Sequence, residues 1–169
     1  LTITENDPDP SLTIAYQSFG TDGGDWSYTT NPATFNVSGD VWDVVDNTFH
    51  TFGSIPSDGT QFFGVQDLES PSGTAASEFG EIEFSNVDVS LYNNVSISFD
   101  YEVDGFDTND DVEYEAFFDN VSQGRVLLVD GLSNLDQDGT VSIAVPDTTN
   151  EVSLIVYVRQ NGGGDYGSF

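Results

Sequence analysis

Apolar and polar residues alternate along most of this chain. Val95, Ile97, Phe99, Tyr101 and Val103 interleave with Asn94, Ser96, Ser98, Asp100 and Glu102. A strand points successive side chains to opposite faces, so this run predicts a long strand with one face buried. Val112, Tyr114, Ala116 and Phe118 alternate with Glu113, Glu115 and Phe117, and Val152, Leu154, Val156 and Val158 with Ser153, Ile155, Tyr157 and Arg159. Shorter runs predict further strands at 11–16, 34–37, 41–46, 61–67, 80–87, 124–130 and 139–145. Turn signals separate them: Asp22-Gly23-Gly24, Ser38-Gly39-Asp40, Ser57-Asp58-Gly59, Asp130-Gly131, Asp138-Gly139 and Asn161 to Gly164. No segment sustains a 3.6-residue period. Many short strands at this spacing predict an all-β chain folded as an antiparallel β-sandwich, a jelly roll.

The first ten residues read differently. Leu1-Thr2-Ile3-Thr4 is a short strand, and Glu5 to Pro10 is acidic and broken by Pro8 and Pro10. Residues 1–10 are therefore expected to be a linker or the end of a preceding domain, with the sandwich over 11–169.

Composition narrows the function. The 169 residues suffice for one domain with a substantial core. The net charge is −28, from 30 Asp plus Glu against 2 Lys plus Arg. Such a surface has no cations to exchange for the counterions of a nucleic acid, and anionic membranes repel it. No apolar run reaches transmembrane length, so membrane insertion through a helix is not expected. Cysteine is absent, which excludes disulfides, zinc thiolates and a thiol nucleophile. Position 1 is Leu and no signal-peptide pattern follows, so the chain reads as a segment of a longer precursor.

The densest acidic stretch is 100–111, Asp-Tyr-Glu-Val-Asp-Gly-Phe-Asp-Thr-Asn-Asp-Asp. Oxygens packed this closely repel one another unless a cation screens them, and Ca²⁺ takes six to eight oxygens from flexible Asp/Asn/Gly loops. Asp104, Asp107, Asn109 and Asp111 are the expected ligands, the last three at alternate positions before a strand. A second group is Asp67 and Glu69, which point the same way at period two, with Asp165 able to join from the last strand. The pairs Asp22/Asp25, Asp40/Asp43 and Asp136/Asp138 are what chance supplies in so acidic a chain.

Arg125 and Arg159 are the only permanent cations. Each is expected to pair with a carboxylate. Arg159 also shares a strand face with Tyr157, an arrangement that suits a sugar ring and its hydroxyls. Trp26, in a Gly-rich stretch, is the tryptophan expected to expose a face for ligand. His50 is the lone imidazole, and no Gly-x-Ser-x-Gly elbow is present. With almost no Lys, Arg or His to do acid–base work near neutral pH, the chain is expected to be non-catalytic.

Two stretches carry family resemblances. Residues 1–7, Leu-Thr-Ile-Thr-Glu-Asn-Asp, resemble the closing strand of Calx-β domains. From about residue 11 onward the chain resembles jelly-roll modules appended to secreted enzymes and surface proteins of marine bacteria. Phe62-Phe63-Gly64-Val65-Gln66-Asp67-Leu68-Glu69, Asn94 to Tyr101, Asp104-Gly105-Phe106-Asp107, Tyr157 to Gly163 and Asp165-Tyr166 carry that resemblance. Such modules often continue into an Asp-Asn pair, beyond Phe169 here. The resemblance implies a secreted or cell-surface accessory or adhesion role.

The expectation is a Ca²⁺-stabilised extracellular binding or adhesion module whose partner is a glycan or a cell-surface protein. Neutral glycans fit better than sulfated or uronic ones, which the negative surface repels. The alternative is a structural subunit or spacer of a surface protein or filament. It would self-associate by adding residues 1–4 to a neighbour's sheet edge.

Overall fold

The computed structural model describes residues 1–5, 12–20, 24–54, 60–68 and 78–169. In chain order its strands are β1 (Thr2–Glu5), β2 (Thr13–Tyr16), β3 (Tyr28–Asn31), β4 (Phe35–Val37), β5 (Asp40–Asp46), β6 (Gln61–Gln66) and β7 (Gly80–Asp88). They continue with β8 (Val95–Phe106), β9 (Asp111–Phe118), β10 (Val121–Asp130), β11 (Leu135–Ala144), β12 (Glu151–Arg159) and β13 (Tyr166–Ser168). Every described pairing is antiparallel. The larger sheet runs β2-β1-β8-β13-β6-β5-β4, with β11 also on β8, and the smaller runs β10-β9-β12-β7-β3. The chain is thus an all-β sandwich of jelly-roll type.

The alternation read from the sequence is the alternation seen. Val95, Ile97, Phe99, Tyr101 and Val103 face inward from β8, and Val152, Leu154, Val156 and Val158 face them from β12. Trp26, Trp42, Phe63 and Phe84 fill one end of the same core. Sheets packed face to face need this interdigitated apolar layer, which supplies most of the stabilisation.

β6 departs from alternation, since Phe62 to Gln66 are all buried. The cause is the segment after β5. Phe49 and Phe52 fold over the outer face of the larger sheet and cover Val41, Val45 and Phe62 in a second small core. Gly64 is required there, because a Cβ would run into Val45 Cγ2 and lie 2.9 Å from Phe49 Cε1. This cover also carries His50 to the end of β8, where the site lies.

Leu154 is wholly buried between the sheets. Leu154→Ala is expected to cost about 2–5 kcal/mol of unfolding free energy by lost burial plus a cavity. A urea titration checks this, and a loss below about 1 kcal/mol would contradict the packing described.

Candidate metal centre and sheet-face site

The site is built where β8 ends. β8 passes through Gly105 and Phe106 into a turn spanning Asp107 to Asp110. Asp110 N–H donates to the Asp107 carbonyl at 3.0 Å, and Asp107 N–H donates to Asp110 Oδ2 at 3.0 Å. Asn109 closes the turn at φ 79°, a left-handed conformation that Asn tolerates. Gly131, after β10, packs against this turn and donates to the Asp110 carbonyl at 2.8 Å. A Cβ there would collide with the Asp107 and Asp110 carbonyl oxygens.

The second wall is the loop between β12 and β13. Gln160, 2% exposed, donates to the carbonyls of Gly162 and of Asp165, the latter at 3.2 Å. Gln66 donates to the Gly163 carbonyl at 2.6 Å. Asn161 N–H donates to Asp110 Oδ1 at 3.0 Å, which ties the two loops together. Gly105, at φ 81°, and Gly162 both abut the Asp165 carboxylate, so side chains at these positions would displace it.

Asp107, Asp110 and Asp165 therefore converge, each offering a carboxylate oxygen within 4.8 Å of the others. Asp110 is completely buried, Asp165 half-buried and Asp107 exposed. Burial pushes the Asp110 carboxyl up, against the two N–H groups that hold it down. Burial and the neighbouring Asp110 and Asp107 charges push Asp165 up to about 6. Three carboxylate oxygens this close together could hold a metal ion.

Of the residues anticipated from sequence, Asp107 and Asp165 meet here. Asp104, still on β8, accepts from His50 Nε2 at 2.8 Å, and that imidazole stacks on Tyr166 with ring centres 4.0 Å apart. Asn109 shapes the turn. Asp111 is a correction: it starts β9 and is ion-paired with Arg159. Alternation across 107–111 assumes a strand, but the backbone turns there, so Asp110 and not Asp111 points at Asp107. Asp67 sits at φ 46° beside the Gly163 turn. Glu69 lies outside the described residues.

Trp26 is a second correction. It is 0% exposed, packs on Phe84 with ring centres 5.0 Å apart, and donates Nε1–H to the Ser85 carbonyl at 2.7 Å. A tryptophan whose N–H finds a backbone acceptor is at home in a core. Tyr157 is only 4% exposed. Arg125 lies over its ring at 3.5 Å, and its hydroxyl donates to Glu115 at 2.9 Å. Burial and Glu115 together raise the Tyr157 phenol above the usual tyrosine range. Arg159 lies over Phe79 at 5.1 Å, and its buried Nε has no hydrogen-bond partner among the described residues. Both arginines thus converge on Phe79, and Arg125 covers Tyr157 instead of leaving it open.

The opening on that sheet face lies elsewhere. A depression of about 460 Å³ is lined by Glu83, Ser85, Asn86, Phe117, Asn120 and Ile155, among others. Its lining combines aromatic and aliphatic side chains with amides, hydroxyls and a carboxylate. Phe117 and Ile155 are the polar-face residues of β9 and β12, and their apolar character on that face is the signal in the sequence that marks them.

No family model matches the chain, and no curated protein does. Solved structures with a similar fold include TmCBM61 in complex with β-1,4-galactotriose, at 12% identity and TM-score 0.45, over 85% of this chain and 83% of that one. The enzymatically active domain of bacteriophage CBA120 tailspike protein 4 is similar at 7% identity and TM-score 0.46, over 85% of this chain and 18% of that one. The K1 cleaved adhesin domain of Lys-gingipain from Porphyromonas gingivalis W83 is similar at 8% identity and TM-score 0.35, over 85% and 98%. Likenesses at this level carry no reading of ligand or activity.

The raised Asp165 pKa has a defined sign. Protonation at Asp165 favours the ion-free fold fully below the ordinary aspartate value of about 3.9, and that contribution is lost as pH rises through about 6. Ion-free protein is therefore expected to melt higher near about pH 5 than near about pH 7.5, and Asp165→Asn to shrink the difference. Differential scanning calorimetry of both proteins checks this. An identical pH dependence in the two would assign the effect to general charge repulsion instead.

Proposed function

We propose that the chain is a non-catalytic, secreted or cell-surface binding module, stabilised by Ca²⁺ at Asp107, Asp110 and Asp165, that binds a neutral glycan or a cell-surface protein. The convergence of three carboxylates from two loops carries this reading. A cation there would tie the β8–β9 turn to the β12–β13 loop and offset the repulsion that raises Asp165. The glycan part is supported by the depression on the smaller sheet. Phe117 and Ile155 suit the apolar face of a sugar ring, while Asn86, Asn120 and Glu83 suit its hydroxyls. The non-catalytic part is supported by His50, the one imidazole, being committed to Tyr166 and Asp104.

Calcium should raise the melting temperature beyond what matched ionic strength achieves. A ligand at 100 times its dissociation constant adds about 2.7 kcal/mol, several degrees for a domain of this size. Asp107→Asn with Asp165→Asn should abolish the calorimetric Ca²⁺ signal, and Asp136→Asn with Asp138→Asn should not. An unchanged melting curve in EGTA would remove the metal.

Glycan binding is tested separately on an array of neutral oligosaccharides. Phe117→Ala is expected to lower affinity about tenfold or more, and Trp26→Tyr to act on stability alone. Retained binding in Phe117→Ala would move the ligand off this face.

A further inference from the structure

We propose that the edge of β8 beneath β1 is an exchange site, which residues 1–5 of a second copy of this chain occupy in place of the copy's own β1.

Two separate pieces of chain cover one edge of β8. β1 pairs Thr2 with Ser98 and Glu5 with Val95, and β13 pairs Tyr166 with Asp104 and Ser168 with Glu102. Both run antiparallel to β8. Extending each register by one residue sets Leu1 opposite Phe99 and Phe169 opposite Tyr101. The two pieces thus lie in line, as halves of one composite strand, with the level of Asp100 between them. A cleft of about 460 Å³ opens at this junction, lined by Leu1, Gln17, Phe62, Phe99, Asp100 and Phe169 among others. β1 can leave without disturbing β13, because β13 is held independently by β6.

The seat is specific. Ile3 is fully buried, and its cross-strand partners are Ile97 at 0% and Ala15 at 5% exposure. The Thr4 and Ser96 hydroxyls meet at 3.1 Å. Departure of β1 would leave a row of β8 main-chain groups and an apolar slot for one side chain, a template for another strand of the same sequence.

Charge selects the place and the occupant. The chain carries 30 acidic residues, yet Leu1–Thr4, Thr13–Tyr16, Val95–Ser98 and Ser142–Ala144 contain none. These are the neighbouring segments of β1, β2, β8 and β11. Within these segments no carboxylate opposes another; Asp25, which accepts from Tyr16 N–H, and Asp100 lie at their margin, and residues 1–4 fit the slot because they already fill it within one chain. The intramolecular strand wins at low concentration, so exchange between copies is favoured by high protein concentration and by salt.

The chain has no cysteine, which permits a clean test. Thr4→Cys and Ser96→Cys are made as separate proteins, mixed, unfolded and refolded together at high concentration with oxidised glutathione. A Thr4→Cys and Ser85→Cys mixture is the control, since Ser85 is exposed on the other sheet. The expected result is a disulfide-linked dimer joining positions 4 and 96, several-fold above the control by non-reducing electrophoresis and mass spectrometry. The double variant Thr4→Cys/Ser96→Cys should lock β1 onto its own β8 and abolish multimers seen by light scattering for wild type. A cross-link yield equal to the control overturns the proposal, as does multimer formation undiminished in the locked variant. Each variant keeps Asp107, Asp110 and Asp165, so the outcome is independent of the metal reading.

Discussion

The sandwich depends on β8. At twelve residues it is the longest strand described, and it pairs with β11 on one edge and with β1 and β13 on the other. Its inward residues form the middle of the core, so it cannot shift register without turning Ile97, Phe99 and Val103 to solvent. Because β8 is fixed, the turn after Phe106 begins at a fixed place, and β13 on its edge delivers Asp165 to the same place. The precision of the carboxylate cluster derives from strand register instead of from the loops themselves.

Burying Asp110 in a chain of charge −28 is costly unless its oxygens are satisfied. Both are: Oδ2 accepts from Asp107 N–H and Oδ1 from Asn161 N–H. Those bonds use backbone donors from the two loops that meet there, so the carboxylate is a structural clasp even before any ion binds. Asp165 shares a side-chain hydrogen bond with Asp110, and burial with the neighbouring carboxylate charges raises its pKa to about 6. Division of labour follows from this. Asp110 holds the loops, and Asp107 and Asp165 set their carboxylates beside it. Acids elsewhere are used the same way: Asp136 accepts from Gly105 N–H at 3.0 Å, and Glu102 accepts from Gly53 and Ser54 N–H at 2.7 and 2.6 Å.

The long strands were legible because β8, β9 and β12 each bury one face, which forces alternation. β3 and β13 were not read as strands. They read Tyr-Thr-Thr-Asn and Tyr-Gly-Ser, each with one large side chain followed by polar or small residues, so no period-two apolar pattern marks them. β6 could be read as a strand, but not the reason for its unbroken apolar run, since Phe49 and Phe52 cover it from a loop. At the site, the acidic density marked the loop in which Asp107 lies and the Asp67 and Glu69 group brought in Asp165, while alternation selected Asp111, which a turn that alternation cannot see places against Arg159. Trp26 failed for a related reason. Its Gly-rich neighbours suggested exposure, whereas the Ser85 carbonyl that receives its N–H comes from a strand far along the chain.

β8 also separates what its two ends do. Ser96, under β1, and Asp107, in the metal turn, are eleven residues apart, roughly 36 Å at the usual strand rise. A cation at one end therefore cannot touch the strand at the other. The link between them is β13. A cation bridging Asp165 to Asp107 would hold the residue just before β13 and so fix the half of the composite edge that β13 occupies. The β1 half is not tied by that ion. Its retention depends on its own ladder, on Ile3, and on the absence of acidic residues within the paired segments Leu1–Thr4, Thr13–Tyr16 and Val95–Ser98. On the proposed readings, the end of the strand near the carboxylates would be fixed by a counter-ion and the other end governed by concentration.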